Sequence, residues 1–233
     1  NAYHVVYQDA QRWLKEGIHD ALFPMMYFQG NNFYPFALDW KENDGKRWII
    51  PGLGIYFLSP REQDWPLDEI VRQIHFTRQI KLNGQAYFRN RFLLDNTKGV
   101  LDELEENFYT YPALIPPMTW SDSIPPSVPS HPSVQQIANG KLRMSWQASA
   151  DNSNQSVVYG SDTYPVDIKQ PQNLIATHLI ANEYEYTAKL PWLQKRYFAV
   201  TAADRFGNES APLTLNTVSD MDIPLLNKGN MLY

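Results

Sequence analysis

The sequence contains no cysteine, which removes disulfides, thiolate metal ligands and a cysteine nucleophile together. It also has no long apolar run. The longest, such as ALFPMMYF at 21–28, fall far short of the roughly 20 residues that a membrane-spanning helix needs. Positive charge is not in excess: 20 Lys and Arg face 25 Asp and Glu, a net charge of −5. No strong field therefore draws nucleic acid or an anionic membrane, and neither is expected as a partner. No block of like charge marks a tail, and no signal peptide is visible. The nucleophile elbow G-x-S-x-G, the phosphate loop and the zinc helix motif are all missing. The five histidines (4, 19, 75, 131 and 178) are scattered without metal-ligand spacing. Neither a metal nor a cofactor is expected.

Aromatic residues, by contrast, make up 14% of the chain, enough to fill a core and still supply surfaces that stack on sugar rings. They are distributed over two halves of different texture. From Tyr3 to about Trp120, helical and strand-like stretches alternate. Residues 7–16 place Tyr7, Ala10, Trp13 and Leu14 at helical spacing, and Gly17 can end that helix in a left-handed cap. ALFPMMYF (21–28), WIIPGLGIYFL (48–58) and QAYFRNRF (85–92) read as three strands buried on both faces. Between the second and third, Asp64-Trp65-Pro66 predicts a helix start with Asp64 as N-cap. Leu67, Ile70, Val71, Ile74 and Arg78 then form its stripe, and Asn83-Gly84 closes it. A last helix carries Val100, Leu101, Leu104 and Phe108 on its buried face. Such alternation predicts a parallel sheet with helical crossovers. Three strands cannot close a barrel of eight, so truncation is one account and a small complete three-layer domain the other. In the first, Asn1 and Ala2 read as a tag remnant, and the uncovered sheet edge invites self-association.

Residues 111–132 are dense in proline and predict a stiff, extended connector, with a domain boundary near 124. Beyond Val134 the period becomes two. Leu142, Met144 and Trp146 alternate with Lys141, Arg143 and Ser145, and the pairs Val157 and Tyr159, Tyr184 and Tyr186, and the set Phe198, Val200 and Ala202 recur at the same spacing of two. Short alternating strands with turns between them predict a β-sandwich. The domains expected are thus 3–124, 125–218 and a tail over 219–233.

The stretch YFAVTAADRFGNES (197–210), with Trp146 on an earlier strand, resembles a fibronectin type III domain over about residues 126–218. The first half resembles the family-10-like glycosyl-hydrolase-like proteins, a bacterial group built on a TIM-type β/α barrel. WLKEGIHDALFPMMYF (13–28), PGLGIYFL (51–58), QIHFTRQIKLNGQAYFRNRFLLDN (73–96) and YPALIPPMTW (111–120) carry that resemblance, in order, over nearly all of 3–120. Many members have Gln and Trp where this chain has Met25 and Phe28. The resemblance implies the last three strand–helix units of such a barrel, a glycan partner such as peptidoglycan or another polysaccharide, and an extracytoplasmic location. It also implies that the family's Asp-rich motifs lie on earlier strands than these.

Glycoside hydrolysis uses two carboxyl groups across the scissile bond, and barrels place them at the C-terminal ends of strands. None of the three strand ends carries Asp or Glu. Glu62 and Asp64, in the loop after the second strand, are the catalytic candidates, with helix capping a competing role for Asp64. As substrate-binding residues we expect Tyr27, Gln29, Tyr56, Trp65 and Arg89. A phenol stacks on a sugar and bonds its hydroxyls, and Arg clamps a carboxylate or a developing charge. The opposing reading has both tyrosines filling the interior and Arg89 paired with a structural acid. Pro24, Pro51, Gly52 and Gly54 interrupt the strands as bulges do. In the sandwich, an aromatic platform around Tyr184, Tyr186 and Trp192 competes with a plain role as core and spacer. A non-catalytic carbohydrate-binding or surface-interaction protein remains the alternative to an enzyme.

Overall fold

Parallel pairing dominates the first half of the chain and antiparallel pairing the second. The structure, a computed structural model, describes residues 2–138, 140–151, 153, 155–188 and 195–215. Contacts divide it into two compact units, Asn1–Thr110 and Tyr111–Tyr233.

In the first unit two short helices, α1 (Ala2–Val6) and α2 (Ala10–Lys15), precede the sheet. Asp9 caps α2 by accepting from the Arg12 amide at 3.3 Å, and Leu14 is buried beneath it. Tyr7 stands outside this helix with a φ of 56°, whereas Gly17 takes the left-handed cap expected of it. The sheet is built from β1 (Ala21–Leu22), β2 (Trp48–Ile49), β3 (Gly52–Leu53) and β4 (Ala86–Tyr87). Segment 48–53 is central. Ala21 and Leu22 lie parallel to Trp48 and Ile49 on one side, and Met25 bridges Gly52. Gly52 and Leu53 pair in parallel with Ala86 and Tyr87 on the other.

The pairings are shorter than the apolar runs suggested. Pro24 and Pro51 have no N–H to give, so each contributes only its carbonyl, to Gly52 at 2.8 Å and to Ala86 at 2.9 Å. Ile55–Leu58 turns into a 3₁₀ segment, and Arg91–Leu94 is helix α5 rather than strand.

Helices connect the parallel segments: α3 (Tyr34–Glu42) leads from β1 to β2, and α4 (Leu67–Gln79) from β3 to β4. Asp64 is not the cap of α4. Pro66 occupies that position, and the Asp64 carboxylate lies 2.6 Å from Lys98 Nζ. Arg78 leaves the buried stripe. Its guanidinium lies over Phe108 and Tyr109, 5.0 and 5.2 Å from the ring centroids. The last helix is α6 (Val100–Glu103), continued by one π-helical turn over Leu104–Phe108. Ile70, Ile74, Val100, Leu104 and Phe108 pack with Phe33, Leu53, Ile55 and Leu58 in one core.

The second unit is a two-sheet sandwich. One sheet orders β5 (Ser130–Ala138), β6 (Lys141–Gln147) and β9 (Glu183–Thr187). The other orders β11 (Leu213–Leu215), β10 (Tyr197–Ala203), β7 (Gln155–Ser161) and β8 (Leu174–Leu179). All pairings are antiparallel. Leu142, Met144 and Trp146 meet Val158, Phe198, Val200 and Leu215 between the sheets. Yet β7 does not alternate in burial. Val157 and Tyr159 are buried too, on the outer face, where Leu114, Val166 and Leu174 cover them.

Leu114 belongs to the proline-rich stretch, which is grouped with the second unit rather than standing between two. The Met118 amide donates to the Phe206 carbonyl at 2.7 Å, and Asn208 Nδ2 to that of Asp122 at 3.1 Å. The Ser127 amide and hydroxyl both donate to Asp151, at 2.8 Å. The expected boundary at 124 therefore falls inside a segment anchored to the loops of the second unit.

Candidate functional site

At the C-terminal ends of the three parallel segments the backbone turns away from the sheet, and each turn carries an aromatic ring. Tyr27 follows the Met25 bridge, Tyr56 follows β3, and Phe88 follows β4. Tyr27 stacks on Phe88 at 5.2 Å between centroids, and Tyr56 meets both rings edge-on at 5.8 and 5.6 Å. Phe57 leans on Tyr56 at 3.9 Å and on Trp65 at 4.7 Å, which completes an aromatic floor. Above it lies an open cleft of about 460 Å³, lined by Tyr27, Phe28, Gln29, Asn32, Tyr56, Phe57, Gln63 and Trp65.

The glycines flagged as bulges explain how Tyr27 sits here. A Cβ on Gly52 would lie 3.1 Å from Tyr27 Cε1, and one on Gly54 would lie 3.2 Å from Tyr27 Cβ. Gly52 thus leaves room for the edge of the Tyr27 ring, and Gly54 for the base of its side chain.

Among the expected binding residues, Tyr27, Gln29, Tyr56 and Trp65 come together along this cleft. Trp65 is only 5% exposed, and its Nε1 donates to Gln63 Oε1 at 2.9 Å. It is a buried support more than a rim contact. Arg89 stands at the margin, with its guanidinium 5.6 Å from the Phe92 ring. No acid pairs with Arg89 among the described residues.

Electrostatics agree with half-burial of the phenols. Burial first, then the neighbouring Tyr56, pushes the Tyr27 hydroxyl above its ordinary pKa. Tyr56 is raised by burial and then by the Glu62 carboxylate, while the Arg89 charge pulls the other way. Both remain neutral donors near pH 7, suited to bonding hydroxyl or carbonyl oxygens.

No carboxylate lines the cleft among the described residues. Glu62 is exposed beyond Tyr56, and Asp64 is held by Lys98. Met25 is 74% exposed on the outer edge, whereas Phe28 does line the cleft. Phe57, Phe88, Asn32 and Gln63 are not among the expected residues; Phe57 and Phe88 adjoin Tyr56 and Arg89 in the sequence, and Gln63 lies between Glu62 and Asp64. In the sandwich, Tyr184 and Tyr186 turn inward against the core; Trp192 lies outside the described residues.

A curated relative, "Glycosyl hydrolase YngK" of Bacillus subtilis (strain 168), is 30% identical over 219 residues. The match takes in 89% of this chain but only 43% of the relative, so the chain spans less than half of that protein's length. No protein-family model matches. Solved structures similar to the chain include a titin module (A71) from human cardiac muscle, at 16% identity and a TM-score of 0.31. It covers 43% of this chain and 99% of the module. The fibronectin type III domain of human collagen alpha-1(XX) gives 17% identity and a TM-score of 0.30, over 41% of this chain and 85% of that domain. Scores of this size carry no weight for fold, and the sandwich is defined by its own two sheets. What stands is similarity to a glycosyl hydrolase and an all-β second unit.

Proposed function

We propose that the chain is a carbohydrate-handling part of a glycoside-hydrolase-like protein. In this reading the first unit is the last three strand–helix units of a TIM-type β/α barrel, and the second is a fibronectin type III-like spacer. The substrate is a glycan, peptidoglycan or another polysaccharide, met outside the cytoplasm. The observation that carries the reading is the aromatic cleft at the C-terminal ends of three parallel segments, the end on which barrels build their sites. Similarity to a glycosyl hydrolase along 89% of the chain supports it. So do the unpaired edge of β1 and the residues that follow it, where Phe23 and Met25 are 60% and 74% exposed and a further strand, or a second copy of the chain, can pair.

The catalytic carboxylates belong elsewhere in the whole protein, because among the described residues the cleft presents rings, amides and a nearby Arg but no acid pair. That same absence favours the second reading, a cleft that binds sugar without cleaving it. One experiment addresses both. The chain is incubated with peptidoglycan strands and common polysaccharides, then titrated with an N-acetylglucosamine hexamer while tryptophan emission is followed. We expect no hydrolysis, saturable binding, and at least tenfold weaker binding in Tyr27→Ala. Turnover that vanishes in Glu62→Gln would place the chemistry here after all. Binding indifferent to Tyr27→Ala would remove the cleft from the account.

A further inference from the structure

We propose that Glu69 and Gln73 are positioning residues for the cleft, fixing its wall at the Phe28 carbonyl without lining the cleft themselves. Its functional consequence rests on the carbohydrate reading above; the positioning itself does not.

The wall is the segment 28–32, which supplies Phe28, Gln29 and Asn32 to the cleft. Gly30, between them, borders a second hollow of about 480 Å³ together with Tyr34, Glu69 and Arg72. The segment therefore has open space on two sides. Its internal bonds are local: Asn32 to Gln29, and Phe33 to Gly30. Among the described residues, one hydrogen bond ties it to another element, from Gln73 Nε2 to the Phe28 carbonyl at 2.9 Å.

Gln73 is fully buried on α4, and its other amide hydrogen goes to Glu69 Oε1 at 2.9 Å, one turn earlier. The two ends of a carboxamide are alike in size and opposite in role. Turned round, Gln73 would set its oxygen against the Phe28 oxygen. The Glu69 acceptor prevents that turn. Glu69, itself 4% exposed, is held by Arg72 Nη2 on Oε2 at 2.6 Å and by the Tyr34 hydroxyl on Oε1 at 3.3 Å.

The arrangement has a cost. Gln73 Oε1 is buried without a partner, and an unmatched buried acceptor is unfavourable. An apolar side chain of the same bulk would pack without that penalty. The amide is accounted for by what its nitrogen holds.

Amide hydrogen exchange on the full chain tests this, with residues 28–33 read against the amides of β3 and β4. Gln73→Met keeps the bulk and removes the donor; exchange in 28–33 should rise at least tenfold while the sheet stays protected. Glu69→Met should do the same. Glu69→Gln, which still offers an acceptor to Gln73, should exchange like the parent. Unchanged exchange in Gln73→Met would overturn the proposal. So would uniform acceleration through the unit, or Glu69→Gln as damaging as Glu69→Met, since either would make the pair plain packing or an ion-pair effect. Affinity for the N-acetylglucosamine hexamer then adds the functional arm, falling in step with loop release. Should the parent fail to bind the hexamer, the carbohydrate reading fails, and the exchange result still decides the positioning.

Discussion

At the scale of single residues, the cleft depends on what two glycines leave out. Gly54→Ala would put a methyl 3.1 Å from Phe57 and 3.2 Å from Tyr27. Crowding of that kind costs about 1–3 kcal/mol, and it should displace Tyr27 and weaken glycan binding together. A variant that melts lower yet binds as before would separate the glycines from the site. A second residue-scale prediction concerns Asp151, exposed in the sandwich. Its carboxyl is pushed down to about 2 by the hydroxyls of Ser149 and Ser127 and the Ser127 amide. Because the folded value lies below the unfolded one of about 3.9, the stabilisation is present above that value. It is lost as pH falls towards 2. Amide signals of Ser127 and Asp151 followed by NMR in the folded protein should therefore move with a midpoint near the lowered value of about 2, not near about 3.9.

At the scale of elements, Trp146 shows what the alternating strands hold. It is 5% exposed, lies between the two sheets, and donates from Nε1 to Ser156 Oγ at 3.0 Å. Trp146→Ala should cost about 3–5 kcal/mol, measured by denaturant titration. The proline-rich stretch makes a further prediction, since Leu114 packs on the sandwich and Met118 bonds the turn after β10. A fragment beginning at 111 should be more stable than one beginning at 126 by about 1–3 kcal/mol. Equal melting of the two would return the stretch to a free connector.

These elements also show how far the sequence could be read. The stripes of α4 and of the last helix, and the period of β6, were visible because burial on one face leaves a repeat that spacing reveals. The shortness of β1 to β4 was hidden, since a run of apolar residues reads alike whether it pairs for two residues or eight. Prolines 24 and 51 read as interruptions, but in the structure each still gives its carbonyl to a neighbouring segment, and pairing resumes beyond it at Met25–Gly52 and at Gly52–Leu53. Asp64 was read as a cap because its partner Lys98 is 34 positions away, beyond any local rule. The same limit hides what Glu69 and Gln73 hold. A polar pair on a helix reads as solvated face until the loop it holds is seen.

At the scale of the molecule, the account has one centre: rings from three successive strand ends forming a single surface for sugar. Four expected contacts, Tyr27, Gln29, Tyr56 and Trp65, line one cleft, and Arg89 stands beside it. The most direct test is chemical-shift mapping of the full chain titrated with an N-acetylglucosamine hexamer, and then with other neutral and acidic oligosaccharides. The account predicts that the largest shifts fall at residues 27–32, 54–57, 63–65 and 88–89, with little change in β5 to β11. Shifts confined to the sandwich, or none with any oligosaccharide at millimolar concentration, would contradict it.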